Sequence, residues 1–253
     1  MQKLSIIIPA KDEAGCLRET LENLLKTLGE AEVPFEIVVV DDHSTDESWS
    51  ILTTLQDGHS EIRPVQNTGD PGFGNAVQFG FDHMQGDSAV VYMADQSDDP
   101  GDVVQYWNKL NEGYDCVFGS RFVKGGKVLD YPTLKYVLNR TANKFIQLIF
   151  RIRLNDTTNA FKAYRKEVIE GCNPFLSPHF NLTVELPLKA IIRGFSWTVV
   201  PISWKNRKSG TAKFKIKEMG SRYIFIILYA WLEKFFSRGD YHRSRNSGKG
   251  VKR

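Results

Sequence analysis

Two apolar stretches near the start of the chain decide its fold, Leu4-Ser5-Ile6-Ile7-Ile8-Pro9 and Phe35-Glu36-Ile37-Val38-Val39-Val40. Each is a short apolar run bounded by polar or turn-forming residues, which is typical of a strand buried inside a parallel sheet. Between the two runs, leucines recur on one helical face, at Leu17, Leu21, Leu24, Leu25 and Leu28. This order of strand, helix and strand predicts a βαβ unit, the element from which parallel sheets are built.

The same alternation continues through the first half of the chain. Further strands are predicted at Ile62–Val65, Ala89–Met93 and Cys116–Phe118, and further helices from Ser44 or Thr45, at Ala76–Met84 and at Val103–Leu110. The second half is richer in helix, with helical patterns at Leu134–Phe150, Val184–Ile192 and Glu218–Phe236, and a strand at Ser196–Val200. We therefore expect an α/β fold, with a mostly parallel sheet flanked by helices and a helical C-terminal extension.

Composition excludes several classes of protein. The chain has 253 residues, 42% of them hydrophobic, which is ordinary for a globular protein and excludes wholesale disorder. A net charge of +3 is too small to indicate a nucleic-acid-binding protein. The three cysteines are scattered and form no CxxC motif, so we expect buried thiols in a reducing compartment. The first apolar run is too short for a secretory signal, and the expected location is cytoplasmic.

Polar side chains follow the predicted strands at the points where each strand ends. The segments concerned are Pro9-Ala10-Lys11-Asp12-Glu13, Asp41-Asp42-His43-Ser44-Thr45-Asp46 and Ala94-Asp95-Gln96-Ser97-Asp98-Asp99. Because ligands of open α/β sheets bind at the carboxyl ends of the strands, these acids are candidates to meet at one site. A divalent cation with a diphosphate, or ribose hydroxyls and base N–H groups, are natural partners for such a set. Taken singly, Ser44 and Asp46 are more typical of helix caps.

These segments carry a resemblance to a known family. Ser5–Glu13 together with Val39–Asp46 resembles the opening of the family 2 glycosyltransferases of GT-A fold, in which Pro-x-x-Asn-Glu and Asp-Asp-x-Ser-x-Asp follow two apolar strands. Asp12 stands where that family usually has Asn. The likeness continues through Tyr92–Pro100, Gly119–Arg121 and Arg207–Lys213. It is greatest to the dolichol-phosphate mannose synthase branch, whose members transfer a sugar to a polyprenyl phosphate.

The resemblance implies a nucleotide site and a metal. The positions that match the family's nucleotide-binding residues, or lie beside them, are Pro9, Ala10, Glu13, Asp41, Asp42, Ala94 and Asp95. Asp95 matches the second acid of the family's Asp-x-Asp metal motif, and Ser97 stands where a further side chain faces the metal, which implies Mg²⁺ or Mn²⁺ as the cofactor. Met93 replaces the first acid of that motif, and a thioether is a poor ligand for a hard cation.

The resemblance also implies a phosphate and acceptor side. The candidates for phosphate and acceptor binding are Arg121, Lys135, Asn139, Arg207 and Lys213. Arg207–Lys213 resembles a loop that closes on the diphosphate, with a solvated basic loop as the alternative. The implied catalytic residues are Asp95, Arg207 and Asp156, the last as a residue that orients the acceptor or a neighbouring arginine. For the glycine-rich segment Asn67–Ala76, a structural turn and a ligand contact both stay open.

The implied reaction is inverting transfer of a sugar from a GDP- or UDP-sugar. A hydroxyl acceptor needs a general base, whereas a phosphate is anionic at neutral pH and needs positioning more than deprotonation. The sequence offers several cations and no convincing base, which favours a polyprenyl or dolichyl phosphate as the acceptor. A sugar hydroxyl of a polysaccharide or glycolipid is the first alternative. A non-catalytic nucleotide-sugar-binding protein is the second.

The chain is expected to form one domain over residues 1–237, followed by a flexible basic tail at 238–253. Within the domain, 1–120 forms the nucleotide-sugar-binding half and 121–237 the acceptor half. The longest apolar run, Tyr223–Leu232, has ten residues, whereas about 20 are needed to span a bilayer. It predicts an amphipathic C-terminal helix that contacts a membrane surface or a membrane-protein partner, with a buried core helix or a dimer contact as alternatives. The first of these implies a peripheral position on the cytoplasmic face of a membrane.

Overall fold

The computed structural model describes residues 3–206 and 216–243, with side chains from residue 220 onward in the second segment. Nine strands occur within these residues: β1 Leu4–Ala10, β2 Phe35–Asp41, β3 Ile62–Gln66, β4 Ser88–Val91, β5 Cys116–Ser120, β6 Lys127–Leu129, β7 Lys162–Arg165, β8 Trp197–Pro201 and β9 Ser203–Lys205. Eight helices connect and cover them: α1 Ala14–Glu30, α2 Ser48–Gly58, α3 Phe73–His83, α4 Pro100–Asn111, α5 Thr133–Phe150, α6 Lys166–Cys172, α7 Leu182–Ile192 and α8 Ile216–Phe236.

Seven of the strands form one sheet in the order β3-β2-β1-β4-β7-β5-β8. Every neighbouring pair is parallel except the two that involve β7, which runs antiparallel to β4 and β5. Because β7 comes from the second half of the chain and lies between two strands of the first half, both halves share one sheet. The mostly parallel α/β architecture confirms the predicted fold class.

The register of the central strands sets the geometry of the functional edge. β1 pairs with β2 from Leu4 opposite Phe35 to Ala10 opposite Asp41, so the two strands end side by side. β4 lies on the other side of β1, with Ser88 opposite Leu4. Because all three strands are parallel, the residues that follow them lie along one edge of the sheet.

Helices cover both faces of the sheet. On one face, α1, α2 and α4 pack around Ile6 and Val39, and on the other face α3, α6 and α7 pack around Ile7 and Val38. Consecutive residues of β1 and β2 therefore point into opposite apolar layers. This is why both strands are continuously apolar instead of alternating.

Some predicted elements differ from the observed ones. The prediction that α2 starts at Ser44 or Thr45 is wrong, since the helix begins at Ser48. Asp46 explains the shift, because its Oδ1 accepts from the Ser48 N–H at 2.9 Å and its Oδ2 accepts from the Ala14 N–H at 3.0 Å. The periodicity also missed the antiparallel strand β7, the short helix α6 and the two-stranded β6–β9 pair.

Two helices, α5 and α8, pack beyond α7 in a third apolar cluster. Its contacts include Phe150 of α5, Leu188 of α7 and Ile226 of α8. The carboxylate of Glu233 in α8 pairs with Arg193, at 2.8 Å to Nε and 3.0 Å to Nη2. Within residues 3–206 and 216–243, no helix is long and apolar enough to cross a membrane.

The first residues of the predicted tail contact the domain. Arg243 Nη1 lies 3.0 Å from Asp115 Oδ2, and its Nη2 lies 3.1 Å from Glu167 Oε2. The backbone N–H of Arg243 donates to the carbonyl of Arg193 at 2.9 Å. This part of the tail is therefore held on the domain, and residues 244–253 lie outside the described residues.

Candidate functional site

Three of the nucleotide candidates lie together where β1 and β2 end. Pro9 and Ala10 close β1, and Asp41 closes β2 directly opposite Ala10. The N–H of Asp42 donates to the carbonyl of Ala10 at 2.7 Å, which extends the pairing one residue beyond the strands. The parallel register thus brings these side chains to one edge of the sheet, as the sequence predicts.

The neighbouring carboxylates of Asp41 and Asp42 have different surroundings, although both are buried. Asp42 accepts from Asn67 Nδ2 at 2.8 Å and from the Gly72 N–H at 2.9 Å, so it organises the glycine-rich segment. Asp41 Oδ1 is buried without a hydrogen-bond partner among the described residues. Since a buried carboxylate oxygen without a donor is costly, Asp41 is the better suited of the two to accept from a ligand N–H or O–H.

The loops that follow β1 and β2 are fastened to each other near Glu13. Glu13 stands just before α1, and its N–H donates to Ser48 Oγ at 3.0 Å. Asp12 adopts a left-handed backbone with φ of 55°, and its Oδ1 accepts from the Thr45 N–H at 2.8 Å. Asp and Asn tolerate this conformation better than most residues. Asp12 therefore has a role as a clamp between the two loops, which the sequence pattern did not reveal.

The acidic loop after β4 is largely buried. Asp95 Oδ1 accepts from the Ser97 N–H at 3.2 Å, and Asp98 Oδ2 accepts from the Met93 N–H at 3.2 Å. Burial first, and then the charge of Asp95, raise the pKa of Asp98 to about 8, so this carboxyl keeps its proton at neutral pH. Asp99 differs from these neighbours, since it is exposed and caps α4 by accepting from a backbone N–H at 2.8 Å.

A cleft of about 360 Å³ opens beside this loop. Thr20 and Asn23 of α1 line it, together with Trp204 and Lys205 of β9. The carbonyl of the buried Ala94 accepts from Thr20 Oγ1 at 2.9 Å, which fixes the start of the loop against α1. The volume falls within the usual range for small-molecule sites.

Few side chains in the loop after β4 could coordinate a metal ion. Asp95 offers a carboxylate and Ser97 a hydroxyl, while a thioether occupies position 93. Within the part of the chain that the structure describes, no three His, Cys, Asp or Glu side chains are grouped so that they could hold a metal ion. Mg²⁺ commonly binds to one or two carboxylates together with substrate phosphates and water. The residues therefore fit a cation that arrives with a diphosphate, and do not fit one held by the protein alone.

Arg121 and Asp156 form a buried ion pair. Arg121 Nε lies 2.8 Å from Asp156 Oδ2 and Nη2 lies 2.7 Å from Oδ1, and the Arg121 backbone N–H donates to Oδ2 at 3.1 Å. Burial favours a lower pKa for Arg121, but the Asp156 carboxylate outweighs burial and raises it. Of the two roles predicted for Asp156, contact with a neighbouring arginine is the one that the structure contains. The pair holds the guanidinium in place.

A buried lysine stands behind this ion pair, and the sequence pattern did not single it out. Lys162 of β7 is fully buried, and its Nζ donates to the backbone carbonyls of Thr157 at 2.9 Å, Thr183 at 3.2 Å and Asn159. Burial lowers its pKa to about 7, although the charge of Asp156 acts in the opposite direction. Lys162 thereby connects the loop that carries Asp156 to helix α7. The only signal in the sequence is a lysine within an otherwise apolar run.

The remaining acceptor candidates lie on α5 or outside the described residues. Asn139 Nδ2 donates to Thr158 Oγ1 at 2.8 Å, which places it against the loop that carries Asp156. Lys135, one turn earlier in α5, is exposed. Arg207 and Lys213, with the loop between them, lie outside the described residues.

The glycine-rich segment Asn67–Ala76 approaches another part of the backbone closely. A Cβ on Gly72 would lie 2.4 Å from the carbonyl oxygen of Pro178, and one on Gly74 would lie 2.1 Å from that of Ser177. Gly72 also has φ of 152°, which other residues rarely adopt. The glycines here permit close packing against the segment before α7, which favours the structural-turn interpretation.

Comparisons with known proteins show which family and which relatives the chain is similar to. Residues 5–172 match the family model described as Glycosyl transferase family 2. A polyprenol monophosphomannose synthase of Mycolicibacterium smegmatis is 31% identical over 237 residues, covering 87% of this chain and 88% of that protein. A dolichol-phosphate mannosyltransferase of Pyrococcus furiosus is 34% identical over 221 residues, covering 85% of this chain and 60% of that protein.

Solved structures share the fold at lower identity. A glucosyl-3-phosphoglycerate synthase of Mycobacterium tuberculosis, in complex with Mn²⁺, uridine diphosphate and phosphoglyceric acid, superposes with a TM-score of 0.69. The match covers 91% of this chain and 78% of that chain at 17% sequence identity. At this identity, the likeness shows the fold alone.

Proposed function

This chain belongs to glycosyl transferase family 2, and on that premise we propose that it transfers a sugar from a nucleotide diphosphate sugar to a polyprenyl phosphate. The observation that carries the proposal is the 31% identity to a polyprenol monophosphomannose synthase over 88% of that protein's length. A GDP- or UDP-sugar is the donor. An oxygen of the acceptor phosphate attacks the anomeric carbon, and the bond to the diphosphate breaks with inversion as the nucleoside diphosphate leaves with the electron pair.

The nucleotide lies across the ends of β1 and β2 in this proposal. Pro9 and Ala10 supply the surface at the end of β1. Asp41 accepts from the base or ribose through Oδ1, which has no hydrogen-bond partner among the described residues. Asp42 contributes by holding the glycine-rich segment, since both of its oxygens accept from that segment. Glu13 stands at the start of α1, and its N–H bond to Ser48 joins the loops that follow β1 and β2.

The diphosphate lies towards the loop after β4. Asp95 and Ser97 would hold a Mg²⁺ or Mn²⁺ ion that enters with the donor. When bound, such a cation neutralises charge on the leaving diphosphate. Ala94 keeps this loop close to α1 through its carbonyl. Arg207 and Lys213 remain proposed diphosphate contacts on the strength of the sequence alone.

The acceptor phosphate approaches from the side of α5. Lys135 is exposed there, and Asn139 is bonded to the loop that carries Asp156. The Arg121–Asp156 pair positions this loop. A phosphate acceptor already carries the negative charge that attacks the sugar, so the reaction needs cations and positioning more than a general base.

A transfer assay tests the proposal. Radiolabelled GDP- and UDP-sugars are incubated with the protein, Mg²⁺ or Mn²⁺, and either a detergent-solubilised polyprenyl phosphate or a soluble glycan. Label should enter the organic phase only with the lipid phosphate. Label in the glycan, or in neither acceptor, would overturn the proposed acceptor.

The metal and nucleotide assignments have their own test. Asp95→Ala should abolish the metal-dependent rise in melting temperature that the nucleotide diphosphate causes. Asp57→Ala removes an exposed carboxylate of α2 and serves as the matched control. An unchanged nucleotide shift in Asp95→Ala would contradict the assignment.

A further inference from the structure

Helix α5 carries an apolar stripe on its solvent-facing side. The stripe consists of side chains that are 45–78% exposed, namely Leu134, Val137, Leu138, Phe145 and Leu148. At about 100° per residue, these five positions fall within one sector of the helix, and the buried Asn143, Ile146 and Phe150 lie on the opposite side. A surface helix ordinarily presents polar residues to solvent, so an apolar stripe on the exposed side of α5 is unusual.

Helix α8 also carries an apolar stripe on its solvent-facing side. Its exposed residues are Ile224, Phe225, Leu228, Leu232, Phe235 and Phe236. The charged side chains nearest to this stripe point elsewhere, since Glu233 is buried against Arg193 and Lys234 Nζ donates to the carbonyl of Phe150. The stripe on α8 therefore carries no charge between Ile224 and Phe236.

The two helices lie side by side. Ile146 and Phe150 of α5 belong to the same apolar cluster as Ile226 and Ile227 of α8, and Lys234 joins the two helix ends. The exposed stripes of α5 and α8 together are called the α5–α8 face below. The stretches outside the described residues at 207–215 and 244–253 contain only Ala212, Phe214 and Val251 as apolar residues, which is too few to cover this face.

The basic residues around the α5–α8 face indicate which kind of surface covers it. Residues 131–155 contain no Asp or Glu and carry five basic residues, Lys135, Arg140, Lys144, Arg151 and Arg153. A second copy of the chain would bring like charges together around the apolar contact. An anionic lipid surface offers the opposite charge together with an apolar interior, and exposed aromatic residues such as Tyr136 suit the interface between them.

The inner side of α5 contacts the candidate site. Arg140 Nη1 donates to the carbonyl of Asn155 at 2.9 Å, and Asn139 and Asn143 both donate to Thr158 Oγ1, at 2.8 and 3.0 Å. One helix therefore separates the α5–α8 face from the loop that carries Asp156. We propose that the α5–α8 face lies on the anionic surface of a lipid bilayer, where the lipid phosphate of the function proposed above is presented to the site without leaving the headgroup layer.

Vesicle sedimentation tests the surface without any sugar transfer. The full chain should co-sediment with vesicles of phosphatidylcholine and phosphatidylglycerol in equal parts. Leu148→Glu with Leu228→Glu should lower the partition coefficient about tenfold or more, because each substitution removes an apolar side chain that the bilayer would bury and adds a negative charge. Gln56→Glu with Asn108→Glu is the matched control, since it adds the same two negative charges at exposed positions of α2 and α4, on the other face of the sheet.

Three results would overturn the proposal. The first is wild-type protein that stays in the supernatant, and the second is a double variant that sediments as well as wild type. The third is light scattering that gives a wild-type dimer in the absence of vesicles and a monomer for the double variant, since the face would then join two copies.

A transfer assay separates this proposal from the proposed function. The double variant should lose transfer to polyprenyl phosphate held in vesicles and keep transfer to the same acceptor in detergent. Equal loss with both acceptors would contradict a role confined to membrane docking. Wild-type protein that binds vesicles but transfers sugar to neither acceptor would refute the proposed function and leave the docking surface standing.

Discussion

Asp156→Asn should destabilise the protein far more than the loss of an exposed ion pair of equal length. Asp156 is fully buried, and the side chain of Arg121 is 6% exposed, so the variant leaves an uncompensated guanidinium inside the protein. Removing one partner of a buried pair typically costs about 3–5 kcal/mol. Asn keeps one oxygen that accepts from the Arg121 N–H, so the lower end, about 3 kcal/mol, is expected. For a domain of this size, that free-energy change lowers the melting temperature by about 6–12 °C.

Urea denaturation at neutral pH, followed by tryptophan fluorescence, measures the change in the free energy of unfolding. The matched control is Glu112→Gln, which removes a carboxylate 2.8 Å from Lys109 Nζ where both side chains are more than one third exposed. Exposed pairs contribute about 0–1 kcal/mol. If Asp156→Asn cost no more than Glu112→Gln, the reasoning from burial would be refuted.

A double variant checks the cause of the loss. Arg121→Met with Asp156→Leu removes both charges and keeps apolar volume, so it should be more stable than Asp156→Asn alone. A double variant that is less stable than Asp156→Asn would show that the hydrogen bonds, and not the unpaired charge, dominate the cost.

Three further changes have defined outcomes. Glu36 accepts from Ser5, Arg63 and two backbone N–H groups and, although burial alone would raise its pKa, these bonds lower it. The stabilisation that Glu36 contributes is present above its ordinary pKa of 4.5 and is lost as the pH falls below that value. Glu36→Gln should therefore lower the free energy of unfolding at neutral pH. In urea titrations from pH 6 to about 3, the free energy of unfolding of this variant should also depend less on pH than that of wild type. Gly74→Ala should lower the free energy of unfolding by about 1–3 kcal/mol, because its Cβ would meet the carbonyl of Ser177. Gly29→Ala, whose Cβ would have no atom within 4 Å, should be neutral or stabilising. Equal melting temperatures of these two variants would contradict the prediction. Met93→Asp should bind Mn²⁺ without nucleotide about tenfold or more tightly than wild type in calorimetry, and equal binding would show that position 93 lies away from the cation.

The sequence predicted the central part of the fold because its elements are local and regular. The apolar runs at Leu4–Ile8 and Phe35–Val40 identify β1 and β2, and the residues after them lie where the parallel order places them. Strand β7 was missed because its four residues, Lys162–Arg165, hold a lysine and an arginine at their ends. Only the tertiary structure supplies the three carbonyls that accept from Lys162 and make this strand possible.

The sequence predicted which residues follow the ends of β1 and β2, but not which groups each of their side chains contacts. Asp41 and Asp42 are adjacent in the sequence and chemically identical, yet one organises the glycine-rich segment and the other has an oxygen without a partner among the described residues. That difference depends on Asn67 and Gly72, which lie about 25 to 30 residues further along the chain. Spacing alone cannot reveal which oxygen a distant donor reaches.

Helix α5 shows why apolar periodicity and burial are separate questions. The apolar positions that predict the helix include Leu134, Val137 and Phe145, which are exposed, and Phe150, which is buried. Periodicity reveals that a helix has apolar faces, but the neighbouring elements decide which face is covered. Here α7 and α8 cover one face of α5 and leave the other uncovered by any described residue. Residues 131–155, which include α5, hold five basic residues and no acids. The uncovered face of α5 therefore suits a surface that is both anionic and apolar.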